Sequence, residues 1–286
     1  MKGAQRGAPR EIQRRRRMGL ATVLDLRAQG FFIPHRYADA VLPPAAYPAA
    51  ERLFAAARTD FAKVLAAIDA LGPALLAIPA EAEAPQPRWN QDWFPRLDAA
   101  AAYALVREGR PRTVVEIGSG HSTRFLARAA ADGGLAARIV CIDPAPRAAL
   151  EGLAVEWRRE TVQQAPLELF ADLAPGDLLF VDSSHILMPG TDVDHVLNRL
   201  LPALKSGVLV HLHDVFLPDG YPEDWAWRGF NEQLGVLALL QGGGYAPVFS
   251  GRYVLTRMQS EFATCAGARL SLVGGALESS LWLRKR

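Results

Sequence analysis

A doubly wound α/β domain preceded by a helical N-terminal region is the fold this sequence predicts, and three observations predict it. From residue 111 onward, short apolar and β-branched runs alternate with helix-period segments, the pattern of parallel strands covered on both faces. The first such run ends on Gly118-Ser119-Gly120, a turn that small residues allow the backbone to make. The polar residues of this half gather at the ends of the runs rather than inside them, where open α/β sheets bind their ligands.

The elements follow in order. Thr113 to Ile117 is the first strand, and Ser122 to Ala131 a helix with Ser122 as its cap. Arg138 to Ile142 is the second strand, ending at Asp143-Pro144, and Leu153 to Trp157 is a candidate third. Asp177 to Val181 is the fourth, ending at Asp182; Val193 to Leu201 is the next helix. Gly207 to Leu212 is the fifth strand, ending at His213-Asp214, and Val248 to Leu255 and Ser280 to Arg284 are candidates for antiparallel edge strands. Right-handed crossovers leave few topologies open. Upstream, residues 18–80 read as helical, with apolar residues at three- and four-residue spacing in Tyr47 to Ala57 and Phe61 to Leu71. Proline breaks that region at Phe31-Phe32-Ile33-Pro34 and Leu42-Pro43-Pro44. Ala80 to Arg88 is polar and Pro-bearing, the best linker. The chain thus divides into a basic, disordered arm (1–17), a helical region with linker (18–87) and the α/β domain (88–286).

Half of the 286 residues are hydrophobic and 22% are charged, a globular balance rather than a disordered or fibrous one. No window is apolar for the roughly 20 residues that a membrane span requires. Two cysteines are too few for a disulfide scaffold or a cysteine-built zinc site, and Cys141, inside an apolar run, reads as a buried thiol in a reducing, cytoplasmic protein. The net charge of +2 conceals an asymmetry. Residues 1–17 hold seven cations against Glu11, and the rest carries 25 cations and 29 acids. Such an arm suits nucleic acid or anionic lipid, but a solvated tail is the expectation and no nucleic-acid partner is expected. Met18, directly behind the arginines, is an alternative start.

The chemistry lies at four strand ends: Glu116 to Thr123, Asp143, Asp182 to His185, and His211 to Asp214. Gly118 and Gly120 let the backbone approach a ligand, and the following helix presents free N–H groups. A dinucleotide turn would carry a third glycine where Thr123 stands. Glu116 would repel a pyrophosphate but suits a cationic group, and Asp143 is placed to accept hydrogen bonds from a ribose. Asp182, His185, His211, His213 and Asp214 form a second group. Asp182, Asp214 and His213 are its candidate metal ligands, although imidazole is a poor partner for magnesium and the spacing matches no closed zinc site. Without a metal, His213 and then His185 are candidate general bases; His211 reads as a hydrogen-bonded, half-buried histidine. Tyr221, Trp225 and Trp227 follow the fifth strand and suit either a flat or sugar-like ligand or a loop pinned to the core. Asn231 reads as the cap of the helix after them.

Val114-Val115-Glu116-Ile117-Gly118-Ser119-Gly120-His121-Ser122-Thr123 resembles motif I of class I S-adenosylmethionine-dependent methyltransferases. Ile142-Asp143-Pro144 resembles their ribose-binding strand end, and Phe180-Val181-Asp182-Ser183-Ser184-His185 and residues 207–222 complete the set. Together they are similar to the bacterial branch called methyltransferase-24, with Ser122 a departure where many members carry a third glycine. The resemblance implies a seven-stranded Rossmann-like sheet and S-adenosylmethionine as cofactor, bound by Glu116, Gly118, Ser119, Gly120, Ser122, Thr123, Asp143, Asp182 and Ser183. It implies His213, His185 and Asp182 as catalytic residues, O-methylation of a small-molecule or sugar-like acceptor, a divalent metal such as Mg2+ at Asp182, Asp214 and His213, and a homodimer. An NAD-dependent oxidoreductase, a metal-dependent hydroxylase on a similar scaffold and a nucleic-acid-binding module remain the alternatives.

Overall fold

The computed structural model describes residues 9–286, with side chains from residue 12 onward. Seven strands form one sheet in the order β3-β2-β1-β4-β5-β7-β6. They are β1 (Thr113–Ile117), β2 (Arg138–Ile142), β3 (Glu156–Arg158), β4 (Leu178–Val181), β5 (Leu209–Leu212), β6 (Tyr245–Ser250) and β7 (Leu281–Lys285). β1 to β5 pair in parallel, β1 with β2 from Thr113↔Arg138 and with β4 from Val114↔Leu178. β7 runs antiparallel to both β5 and β6. The two late strands therefore differ from the expected antiparallel edge pair, since β7 is wedged inside the sheet and β6 has the direction of β5. β1, β4 and β5 are buried throughout or nearly so, as strands covered by helices on both faces must be.

The N-terminal helices are α1 (Pro9–Val23), α2 (Pro48–Ala56), α3 (Arg58–Ala70) and α4 (Gly72–Leu76). The first eight residues of the expected arm lie outside the described residues. From Pro9 the chain is helical, a correction to the disorder expected for 9–17: arginine and methionine are good helix formers, and proline is tolerated at a helix start. Helices α2 and α3 belong to the main core: Phe61 packs edge-on to Phe249 and Tyr253 at 6.1 and 5.6 Å. Residues 44–47 strap the loop after β5, where the Tyr47 N–H donates to the Pro218 carbonyl at 2.7 Å.

The sheet is flanked by α5 (Arg96–Gly109), α6 (His121–Asp132), α7 (Glu168–Ala171), α8 (Asp192–His195), α9 (Leu201–Ala203), α10 (Glu232–Gln241), α11 (Gly251–Arg257) and α12 (Gln259–Thr264). Three boundaries differ from expectation. The helix expected over Val193 to Leu201 is α8, a π-turn over Val196–Leu200 and α9, because Pro202 has no N–H to continue regular bonding. The strand expected over Val248 to Leu255 ends at Ser250, whose hydroxyl accepts from the Tyr253 N–H and starts α11. β3 begins only at Glu156, since Leu150 to Val155 turn tightly on themselves. No described helix is long and apolar enough to cross a membrane.

Candidate active site

Strand order reverses between β1 and β4, so the carboxyl ends of those strands form the crevice in which such sheets bind ligands. A cleft of about 540 Å³ opens there, lined by Gly118, Ser119, Asp143, Asp182 and Ser183 among others. Gly118 has φ +77°, and a Cβ at that position would lie 1.8 Å from the Asp182 carbonyl oxygen. Only glycine fits where β1 turns beneath β4. The Asp143 carboxylate, at the end of β2, accepts from the amides of Ser119 and Ala145, each at 2.7 Å.

Glu116, Gly120, Ser122 and Thr123 lie behind this surface, not on it. Glu116 is fully buried, and the hydroxyls of Ser122 and Thr123 both donate to its carboxylate at 2.6 Å. The Gly120 amide donates to Thr123 Oγ1 at 2.9 Å. Burial pushes the Glu116 carboxyl up to about 7, against the hydrogen bonds of Ser122 and Thr123 that favour its charge. Glu116 thus braces the turn from below and, being fully buried, presents no oxygen on the cleft surface. Ser122 is not the helix cap, because the buried carboxylate takes its hydroxyl; Gly120 occupies the cap position and Thr123 supplies the side chain. Cys141 is buried, as expected, with Sγ 3.4 Å from Glu116.

The second cluster assembles beside the cleft. His185 Nε2 stands 3.4 Å from Asp182 and 3.4 Å from Asp214. His213 Nδ1 stands 3.6 Å from each of the same two carboxylates. Both imidazoles are backed by further acids: Glu232 lies 2.9 Å from His185 Nδ1, and Asp98 3.4 Å from His213 Nε2. Burial opposes charge on His185, but Asp182 and Glu232 override it and push the imidazole up to about 10. His213 is likewise raised well above the ordinary range, burial being outweighed by Asp182 and Asp214. Asp182 is held well below the usual carboxylate range, its burial outweighed by His213 and His185. His185 and Asp214 adopt left-handed backbone, φ 61° and 53°, a conformation that costs about 1–3 kcal/mol in such residues and gathers at functional sites.

Two expectations change here. The surrounding carboxylates favour the charged form of both imidazoles, the opposite of what a resting general base needs. Imidazole and carboxylate alternate as ion pairs, and among the described residues no group of three His, Cys, Asp or Glu is arranged to hold a metal ion. Asp182, Asp214 and His213 do come together, as members of these ion pairs. His211 is fully rather than half buried; it bonds Ser280 Oγ at 2.9 Å, stacks on Phe180 and is kept neutral by burial and by the charge of His213.

A second cavity of about 580 Å³ adjoins the first through Arg147, Asp182, Ser183 and Ser184, with His185, His213 and Asp214 also on its wall. The aromatic loop after β5 divides between the two roles anticipated for it. Phe216 is buried and packs against Tyr221 at 5.8 Å, pinning the loop, while Trp225, Trp227 and Phe230 line the cavity. Asn231 does not cap α10; its side-chain amide holds the backbone of Leu187 in both directions.

Asp98, Glu232 and Ser279 escaped the sequence reading. Asp98 is a fully buried acid on α5 that accepts from the amides of Ser279 and Ser280 at 2.9 Å each; a lone carboxylate in the run Asp98-Ala-Ala-Ala-Ala was a usable signal. Ser279 Oγ donates to Asp214 at 3.0 Å, a contact over 65 residues that no local pattern announces.

Residues 115–215, about a third of the chain, match the family model of a methyltransferase domain. No curated protein sequence matches the chain significantly. Similar solved structures include an SAH-bound methyltransferase of Podospora anserina, at 17% identity and TM-score 0.41 over 90% of this chain and 99% of that one. An O-methyltransferase of Bacillus cereus in complex with SAH is similar at 15% identity and TM-score 0.38, covering 78% of this chain and 91% of that one. An O-methyltransferase of Streptomyces achromogenes involved in tomaymycin synthesis, in complex with SAM, is similar at 17% identity and TM-score 0.38, with 78% and 89% covered. Likenesses at such scores carry nothing about activity.

Proposed function

We propose that the protein is an S-adenosylmethionine-dependent methyltransferase that methylates an oxygen of a small-molecule acceptor. The observation that carries this reading is the state of the glycine turn. The Ser119 amide is held by Asp143 and the Gly120 amide by Thr123, so the donors a pyrophosphate needs are already used. A carboxylate on the cleft wall also repels a diphosphate, whereas a cationic cofactor with a ribose diol suits it. Asp143 keeps unused acceptor capacity for both hydroxyls, since an ionised carboxylate has about four lone-pair sites. Gly118, Ser119, Asp182 and Ser183 complete the cofactor wall. The match of residues 115–215 to a methyltransferase domain supports the same reading.

When bound, S-adenosylmethionine supplies an electrophilic methyl group on a sulfonium. Asp182 lies on the wall common to both cavities and accepts the hydrogen bond of the acceptor hydroxyl. Methylation would make the acceptor's O–H strongly acidic, so Asp182, even with its depressed pKa, would receive the proton. His185 and His213 hold Asp182 in place. In this reading residues 88–286 carry catalysis, the N-terminal helices buttress them, and two buried free cysteines accord with a reducing, cytoplasmic setting.

Thermal unfolding with S-adenosylmethionine, S-adenosylhomocysteine or NAD tests the proposal. A ligand at about 100 times its Kd stabilises by about 2.7 kcal/mol. The two methionine-derived ligands are expected to do so and to lose the effect in Asp143→Ala. A response to NAD alone would sink the reading and favour an oxidoreductase.

A further inference from the structure

The cavity beside Asp182 is lined by an ion-paired cluster and, apart from it, by two guanidiniums that have no carboxylate partner among the described residues. Asp182 and Asp214 face His185 and His213, which are backed in turn by Glu232 and Asp98. Asp92 is the remaining lining acid. That leaves two lining guanidiniums, Arg147 and Arg228. Every other arginine pairing in the molecule involves different residues: neither of these two forms an ion pair among the described residues.

Aromatic rings hold them instead. The Arg147 guanidinium lies 4.3 Å over Trp93. That of Arg228 lies 4.2 Å from Trp225, 5.2 Å from Trp227 and 5.4 Å from Phe230, and its Nε is buried without a hydrogen-bond partner. Contact with the rings holds each cation in place, but it uses none of the five N–H donors of a guanidinium. A buried donor left without an acceptor costs about 1–3 kcal/mol. Two oriented forks in a concave site are what a carboxylate or phosphate requires.

We propose that this cavity selects its ligand by an anionic group, a carboxylate or phosphate, bound by Arg228 and Arg147 while the body of the ligand lies against Trp225, Trp227 and Phe230. Taken with the methyltransferase reading, on which this step rests, the acceptor is a hydroxyl-bearing organic anion. Its hydroxyl meets Asp182 and its anionic group meets the arginines, so the two ends fix its direction in the site. Neutral analogues of the same shape leave the forks unpaired and bind more weakly.

The test uses the full chain, with and without saturating S-adenosylhomocysteine, titrated calorimetrically at fixed ionic strength with phenyl phosphate, benzoate and neutral benzamide. At least one anion is expected to bind about tenfold or more tightly than benzamide, a difference of about 1.4 kcal/mol. Response to phenyl phosphate alone assigns a phosphate, response to benzoate alone a carboxylate. In Arg228→Gln the preference for the anion should fall to near unity with the affinity for S-adenosylhomocysteine unchanged, and Arg228→Lys should restore part of it. Should Arg228→Gln lower the melting temperature, Arg147→Gln carries the same expectation for the anion preference. Equal binding of all three probes, or no binding of either anion, overturns the inference. Anion binding lost in Arg228→Gln, in protein that fails to bind S-adenosylhomocysteine, keeps the anion site and removes the methyltransferase reading.

Discussion

Around Gly118 the cleft is made of main chain and of short side chains that hold main chain: Asp143 on the Ser119 amide, Thr123 on the Gly120 amide, Glu116 beneath both. Around His185 and His213 the wall is made of long side chains from α5, β4, β5, the loop after β5 and α10, and each charge is met by another from a distant part of the sequence. The first region tolerates no change of backbone shape, and the second tolerates no change of charge count. A short motif encodes the former; the sheet topology has to be complete before the latter exists.

Mutations separate the two. Gly118→Ala should have the largest effect, since its Cβ would sit 1.8 Å from a carbonyl oxygen in left-handed backbone. A loss of about 3 kcal/mol or more in urea unfolding is expected from the combined conformational and overpacking costs. A change below about 1 kcal/mol would mean that the turn relaxes freely.

Glu116 comes next, and its effect appears as pH dependence. Its carboxyl is raised from 4.5 to about 7, so the folded state holds a proton that the unfolded state has released in that interval. The sign follows: stability falls as pH rises from about 4.5 to about 7, by about 3 kcal/mol from this group. Glu116→Gln has no such proton, and the difference between its stability–pH curve and that of the parent should show this slope. Parallel curves would refute the placement of the charge.

Asp143→Ala should weaken S-adenosylhomocysteine binding by roughly 10–100-fold, the loss of about 1.5–3 kcal/mol for hydrogen bonds to a charged group, read by calorimetry. It should leave the anion preference of the neighbouring cavity intact, which keeps the two regions distinct. The smallest effect is expected outside both. Arg138 and Glu156 pair at 2.8 Å across β2 and β3 with half-exposed side chains, and Arg138→Ala should change stability by less than about 1 kcal/mol.

The contrast also explains what was legible beforehand. β1, β2, β4 and β5 could be read because each is an apolar run closed by a polar residue, and the glycine turn because Gly118-Ser119-Gly120 is contiguous. Asp143, Asp182 and Ser183 line the cleft for the same reason: a strand end fixes where the next residue lies. What failed depended on direction within a turn. Nothing in Glu116-x-Gly118 tells whether the carboxylate faces the ligand or the core; the alternation of β1 against the helix α6 sends it inward, and Ser122 and Thr123 follow it. The histidines were found but their charge was not: Asp182 and Asp214 favour it only once β4 and β5 lie side by side, and Asp98 and Glu232, 115 and 47 residues away from the imidazoles they back, add to it. Arg147 had no local signature, since the ring that holds it, Trp93, is remote in sequence, whereas the rings around Arg228 are its near neighbours Trp225, Trp227 and Phe230.

The position of β7 has a consequence for how the protein comes into being. This strand, drawn from residues 281–285, is inserted between β5 and β6, and Ser279 and Ser280 just before it reach Asp214, Asp98 and His211. A nascent chain emerging from the ribosome N-terminus first can therefore form the glycine turn and its four-strand neighbourhood early, but keeps a slot open in the sheet until residues 281–285 have emerged. During that interval the edges of β5 and β6 stand unpaired, open to foreign strands. A stalled or clipped chain would be an aggregation hazard that already carries half a binding site.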